Sequence, residues 1–254
     1  MYNVLFLGRK DLGYRCLLHM IQDYLCFNVV GVMSNRDTDS VWWGTNDLYK
    51  FANKNNIEFM DNSERNSDWL REIVLSKEVN LLISIQHEWI IPKDILDSVG
   101  NSAFNLHAAK LPDYKGHNSV NHAILNRETL FTSTIHRMAP LVDMGDIVFE
   151  DTFPIGSDDT GLSVYNKSQD AGFTAFSKLA YYLGEGKEIP SKKVSGVGRL
   201  YKKNEIYSQK VVDLRVDSEE LIERKARAFY FPPFEPTYAI LNGRKIHLYP
   251  GKCV

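Results

Sequence analysis

Short, wholly apolar runs separated by helix-length stretches constrain this chain more than any other feature. Val4-Leu5-Phe6-Leu7 is broken by Gly8, and Leu12, Leu17, Leu18 and Ile21 follow at helical spacing. Phe27 to Met33 repeats the pattern, followed by a polar stretch and then Leu48, Phe51 and Ala52; Ile57 to Met60 precedes Trp69, Leu70, Ile73 and Val74. Leu81-Leu82-Ile83-Ser84-Ile85 is apolar almost throughout. A continuous apolar run has no solvent face, so these strands must be covered on both sides. Strands of that kind alternating with helices require crossover connections and hence parallel pairing.

The expectation is therefore an α/β fold, with a Rossmann-like, doubly wound and mostly parallel sheet. After Pro92 the character changes. Ala103 to His107 reads as a strand with polar residues at its C-terminal end, where such sheets place ligands. Val120 to Leu125 reads as a short helix, Ser133 to Met138 and Ile147 to Phe153 as strands, and Thr160 to Leu183 as the longest helix. Pro190 to Gly198, rich in Pro, Ser, Lys and Gly, is the expected domain boundary, giving a large domain of 1–190 and a small α+β domain of 199–254. The latter holds a helix near Ser218 to Ala228 and a β-hairpin, Tyr238 to Leu248, turning at Asn242-Gly243.

Composition narrows the function classes. At 44% hydrophobic and 24% charged, the 254-residue chain can build a core. Its 30 Lys and Arg against 32 Asp and Glu leave a net charge of −2, which supplies no field to hold a polyanion, so no nucleic-acid partner is expected. No apolar run reaches the roughly 20 residues that span a bilayer, and Val4 to Leu7 starts too early and ends too soon for a signal peptide. The expectations are a cytoplasmic protein with no membrane partner. Cys16, Cys26 and Cys253 show no metal spacing, so a reducing compartment and no metal are expected.

Two regions can carry chemistry. The turn Gly8-Arg9-Lys10-Asp11-Leu12-Gly13 lacks the middle glycine of G-x-G-x-x-G, which argues against a dinucleotide site. It still offers backbone N–H groups, a positive helix end and two cations to a phosphate; the alternative is an ordinary strand-to-helix turn with solvated basic residues. The second region is Asn105-Leu106-His107, then Leu111-Pro112-Asp113-Tyr114-Lys115-Gly116-His117, a strand carrying a His, and Val142-Asp143-Met144-Gly145-Asp146-Ile147. Asn105 and His107 are two apart and share one face of a strand. Taken alone, the pair has a second reading, in which both satisfy loop backbone groups.

Asn-x-His, a Leu-Pro-x-Tyr-x-Gly loop and Asp-x-Gly-Asp-Ile at these separations resemble the formyltransferases that use N10-formyltetrahydrofolate, over residues 1 to 185. The resemblance implies a catalytic trio of Asn105, His107 and Asp143 around the formyl carbon. Each type suits the reaction: an uncharged amide donor for an oxyanion, an imidazole to hold the same oxygen or move a proton, and a carboxylate to polarise the His or accept the amine proton. Asp146 at the start of the next strand reads equally as a turn cap. By the same resemblance the folate lies against Ser84 to Ile91 and Ala139 to Asp143, so Ser84, Gln86, His87, Trp89, Ile91, Pro140 and Leu141 are candidate cofactor residues. Trp89, Ile90 and Ile91 serve equally as core.

Within the family, the near-neutral charge and the short tail argue against a tRNA acceptor. Arg227-Ala228-Phe229-Tyr230-Phe231-Pro232-Pro233-Phe234 resembles the small domain of nucleotide-sugar N-formyltransferases. Aromatics flanked by prolines make a platform on which a base can stack, or else pack the small domain. The implied substrate is a dTDP-linked amino-dideoxysugar, with dTDP-4-amino-4,6-dideoxyglucose first and a 3-amino sugar, a UDP-amino sugar or glycinamide ribonucleotide as alternatives; a folate-binding protein without turnover is the other class. Candidate substrate contacts are Gly8, Arg9, Lys10, Asn118, Tyr230, Phe231 and Phe234, with Arg227 or Lys225 beside the pyrophosphate and Lys110 to Asn118 shaping the sugar pocket. A homodimer through the C-terminal hairpin is expected, because a lone hairpin is marginal. The family places such products in bacterial surface glycans such as O-antigen.

Overall fold

The computed structural model describes residues 1–36 and 48–251, so Cys253 lies outside the described residues. The chain forms two compact units: Met1–Ala108 with Ser133–Asp151 and Gly172–Ser195, and Ala109–Thr132 with Thr152–Ala171 and Gly196–Val254. The last division falls inside the Pro190 to Gly198 stretch. The second unit adds two earlier segments of chain to residues 199–254.

The elements up to the long helix are β1 (Tyr2–Gly8), α1 (Lys10–Asp23), β2 (Phe27–Ser34), α2 (Leu48–Lys54), β3 (Glu58–Asp61), α3 (Ser67–Ser76) and β4 (Leu81–Ile85), then α4 (Lys93–Val99), β5 (Ala103–His107), β6 (Lys115–Gly116), α5 (Ser119–Leu125), β7 (Leu130–Arg137), β8 (Ile147–Pro154) and α6 (Gly161–Gly184). The seven-stranded sheet runs β3-β2-β1-β4-β5-β7-β8. Every pairing among β1 to β5 is parallel and β5–β7 is antiparallel, so the sheet is mostly parallel as the apolar runs predict.

Both faces of the first unit's sheet are covered. Phe6, Ile83 and Leu106 pack with Leu12, Cys16 and Leu17 of α1 and with Phe176 and Leu179 of α6. On the opposite face, Leu5, Leu7 and Leu82 pack with Leu70 and Ile73 of α3 and with Ile95 and Leu96 of α4. Each fully buried Leu, Ile or Phe contributes about 1.5 to 3 kcal/mol by leaving water. Helix α4 has no counterpart in the sequence reading. It begins directly after Pro92, which needs no N–H at a helix start.

The second unit continues with β9 (Leu200–Tyr201), β10 (Val211–Val212), α7 (Glu219–Phe229), β11 (Thr237–Leu241) and β12 (Arg244–Leu248). Strands β10, β11 and β12 form one small sheet, and β6 pairs with β9. Asn242 and Gly243 both have positive φ, 48° and 74°, as a two-residue type I′ turn requires. The core joins Ala123 and Ile124 of α5 to Ala228 and Phe229 of α7. Among the described residues no helix is long and apolar enough to cross a membrane, and no group of three or more His, Cys, Asp or Glu is placed to hold a metal ion.

His122 in this core stacks on Tyr201 with ring centroids 4.0 Å apart, and its Nε2 is buried with no partner among the described residues. Burial, reinforced by the Arg199 charge, lowers its pKa from 6.5 to about 4. Folding thus favours the neutral ring. Its contribution to stability is complete above pH 6.5 and is lost as the pH falls from 6.5 through about 4. His122→Phe keeps the stacked ring without the titration, so its melting temperature should fall less over that window than the parent's in thermal scans.

Candidate active site

Directly paired residues on neighbouring strands point to the same face of a sheet. One such row crosses the first unit: Met33 of β2 pairs with Leu7 of β1, Leu7 with Ser84 of β4, Ser84 with Asn105 of β5, and Asn105 with His136 of β7. The row is apolar for two strands and polar for three. Ser84 Oγ donates to Asn105 Oδ1 at 2.8 Å, and Asn105 Nδ2 lies 3.0 Å from His136 Nε2. His136 Nδ1 is 2.8 Å from the Arg137 carbonyl oxygen. A carbonyl only accepts, so Nδ1 carries the proton and Nε2 of the neutral ring accepts from Asn105.

His107 lies two residues beyond Asn105 on the same strand face. Asp143 completes the cluster, with Oδ2 3.8 Å from His107 Nδ1 and Oδ1 3.5 Å from His136 Nε2. Its side chain is only 9% exposed. Asp143 adopts φ +53°, a left-handed conformation that Asp tolerates better than most residues. The loop that bears it is held against β7: Arg137 N donates to Asp146 O at 2.8 Å, and a Cβ on Gly145 would lie 1.8 Å from Arg137 O. Asp146 itself accepts from Ser191 Oγ at 2.8 Å.

The trio of Asn105, His107 and Asp143 is thus brought together, and His136 joins it. His136 is the strand His of the motif set, to which the sequence assigns no catalytic role. Its signal was the alternation Thr132, Thr134, His136, which puts three polar side chains on one face of β7.

The other candidates of the first unit occupy neighbouring loops. Arg9 N donates to Ile85 O, and its guanidinium lies 3.0 Å from Glu88. Lys10 has φ +61°, and burial, then the neighbouring Arg9 charge, lowers its pKa to about 8. A side-chain Cβ on Gly8 would strike the Phe6 ring. Gln86 has φ +54°, and its Oε1 is buried without a partner among the described residues. His87 Nε2 meets Asn62 Oδ1 at 2.7 Å, and its Nδ1 faces the Trp89 N–H at 3.4 Å. That is the neutral ring, and burial, followed by the Arg9 charge, lowers its pKa to about 4.

Ser84 is buried and turned onto Asn105. Ile91 is packed in the core, and Trp89 packs partly buried against it. Pro140 and Leu141 are exposed.

Asn118, Tyr230, Phe231 and Phe234 belong to the second unit. Asn118 has φ +57° and donates to Lys203 O. Phe231 makes edge contacts with Tyr165 and Phe234, and Tyr230 with Tyr249. Phe234 is 51% exposed. Arg227 donates to the Asp159 carbonyl at 2.9 Å.

Chemically, the cluster pairs an uncharged, pre-aimed N–H donor with a carboxylate between two imidazoles. Such a group can stabilise negative charge on an oxygen while moving a proton.

A family model described as formyl transferase matches residues 3–179. GDP-perosamine N-formyltransferase of Brucella melitensis is 28% identical over 80% of this chain and 76% of its own length. Methionyl-tRNA formyltransferase of Halalkalibacterium halodurans is 26% identical over 97% of this chain and 77% of its own. Among solved structures, a 4-N formyltransferase from Francisella tularensis superposes with TM-score 0.79 at 19% identity, covering 99% of both chains. WlaRD, a sugar 3N-formyl transferase solved in the presence of dTDP and 5-N-formyl-THF, gives TM-score 0.76 at 23% identity over 97% of this chain and 85% of that one. With the family match running through β1 to β8 and every residue of the Asn105 cluster, the chain belongs to the formyl transferase family.

Proposed function

We propose that the protein moves a formyl group from N10-formyltetrahydrofolate to the amine of a nucleotide-linked amino-dideoxysugar, with dTDP-4-amino-4,6-dideoxyglucose as the first substrate to test. The observation that carries the chemistry is the Asn105–His107–His136–Asp143 cluster. The bound folate supplies an electrophilic formyl carbon; the amine nitrogen bonds to it, the bond to N10 breaks, and the proton lost by the amine is matched by one gained at N10. Asn105 donates to the oxygen as it becomes negative. Asp143 takes the amine proton, directly or through water, and orients His107. His107 holds the oxygen or returns a proton to the leaving nitrogen.

Residues beside the cluster suit the donor. Gln86 Oε1, buried without a partner among the described residues, would accept from the N–H edge of a pterin, and a buried acceptor left unsatisfied costs about 1 to 3 kcal/mol. The sugar acceptor is supported by the GDP-perosamine relative and by the end-to-end likeness to a 4-N formyltransferase. In the second unit Phe231, Phe234 and Tyr230 offer ring faces to a base. Incubation with the folate donor and the dTDP-4-amino sugar should release tetrahydrofolate in step with sugar formylation. Release without a formylated sugar would refute the acceptor assignment.

Lys10 is assigned to the pyrophosphate. A pKa of about 8 means that its charge is lost earlier than an ordinary lysine's. KM for the nucleotide sugar should therefore rise as the pH passes about 8, and Lys10→Arg should hold KM low there. A pH-independent KM in the parent would reject Lys10 as the contact. Dimerisation through the hairpin is proposed from its exposed Ile240, Leu241 and Ile246 and from the position of β12 at the edge of its sheet. Light scattering should give twice the chain mass, and Ile246→Lys should halve it.

A further inference from the structure

We infer that Ser84 is a positioning residue that, with His136, fixes which way the Asn105 amide faces. The sequence reading placed Ser84 against the folate. The structure turns it sideways along the sheet, where its hydroxyl meets Asn105 Oδ1 at 2.8 Å. Ser84 is 3% exposed, and on its other side the row continues into Leu7 and Met33, both fully buried, so neither neighbour offers an acceptor. His136, 2% exposed, closes the row from β7.

The direction of the whole row is set at one end. Arg137 O can only accept, so His136 Nδ1 donates to it. In the neutral ring Nε2 then accepts from Asn105 Nδ2, which can only donate, and Asn105 Oδ1 accepts from Ser84. An amide is nearly symmetric in shape, and a flip would exchange donor for acceptor where an oxyanion must be held. Three strands therefore choose the amide's orientation before substrate arrives, and Ser84 supplies the lock on the oxygen side. One of the two Nδ2 protons is committed to His136, which leaves the second for the reacting oxygen.

This inference rests on the formyl-transfer reading, and its test separates the two. If the parent transfers formyl, Ser84→Ala should lower kcat about tenfold, the effect of losing one hydrogen bond, with KM for the folate and the affinity for 5-formyltetrahydrofolate unchanged. Ser84→Thr, which keeps the hydroxyl, should recover most of the loss. A raised folate KM with kcat intact would overturn the inference and return Ser84 to the folate site; an unchanged kcat would overturn it as well. If the parent transfers nothing, the formyl-transfer reading fails, and the ring nitrogen chemical shifts of His136 still decide the lock. The neutral Nδ1–H tautomer in the parent supports it, and the Nε2–H tautomer or a doubly protonated ring overturns it.

Discussion

Asn105→Ala should lower kcat by roughly 100- to 1,000-fold, the usual loss when one oxyanion donor is removed, with little change in KM for either substrate. The expectation follows from when the interaction is made. Before reaction the formyl oxygen is a neutral acceptor that water can serve almost as well. In the tetrahedral species it carries a full charge inside a cluster whose donors are already aimed. Only the second state suffers from the truncation, so turnover falls rather than binding. The fold should survive, because Asn105 is only half-buried and the strand around it is held by Phe104 and Leu106, each 2% exposed. A loss confined to KM, with kcat intact, would mean that Asn105 grips the ground state and is no oxyanion donor.

The second large effect is at Gly145. A methyl group there would sit 1.8 Å from Arg137 O, a backbone atom that cannot swing aside. To admit it, the loop must part from β7 and break the 2.8 Å bond from Arg137 N to Asp146 O. Asp143, two residues earlier, would leave its place between His107 and His136. Gly145→Ala should therefore abolish turnover and destabilise the protein by about 1 to 3 kcal/mol, seen as a lowered midpoint in urea. Gly156 provides the contrast: its nearest neighbour is the Asp159 carboxylate, 3.5 Å from an added Cβ, so Gly156→Ala should be nearly neutral. Equal effects at the two glycines would contradict the account of the Asp143 loop.

The parallel half of the sheet was legible because a strand covered on both faces leaves an unbroken apolar run, as in β1 and β4. The hairpin was legible because Asn242-Gly243 meets a backbone requirement that few other pairs meet. The trio was legible only through the family resemblance that its motifs carry. What the spacing could not show is that Ser84, Asn105 and His136 form one hydrogen-bonded row. That depends on which strands become neighbours and in what register, and the residues concerned are 21 and 31 positions apart. For the same reason the bond from the Ser84 hydroxyl along the sheet to Asn105 could not be read from the sequence. The two-residue strands β6, β9 and β10 were invisible, since pairings so short have no periodicity and exist only through distant partners. The second unit gathers three separated segments, of which composition marks only the last, beginning inside Pro190 to Gly198.

The proposed role of the Asn105 cluster is formyl transfer to a nucleotide-linked amino sugar. It is tested most directly by ranking kcat/KM, with N10-formyltetrahydrofolate as donor, across dTDP-, UDP- and GDP-linked 3- and 4-amino sugars, glycinamide ribonucleotide and methionyl-tRNA. One of the nucleotide sugars should lead the ranking, and Asn105→Ala should remove its turnover. Preference for glycinamide ribonucleotide or methionyl-tRNA, with no nucleotide sugar formylated, would contradict it.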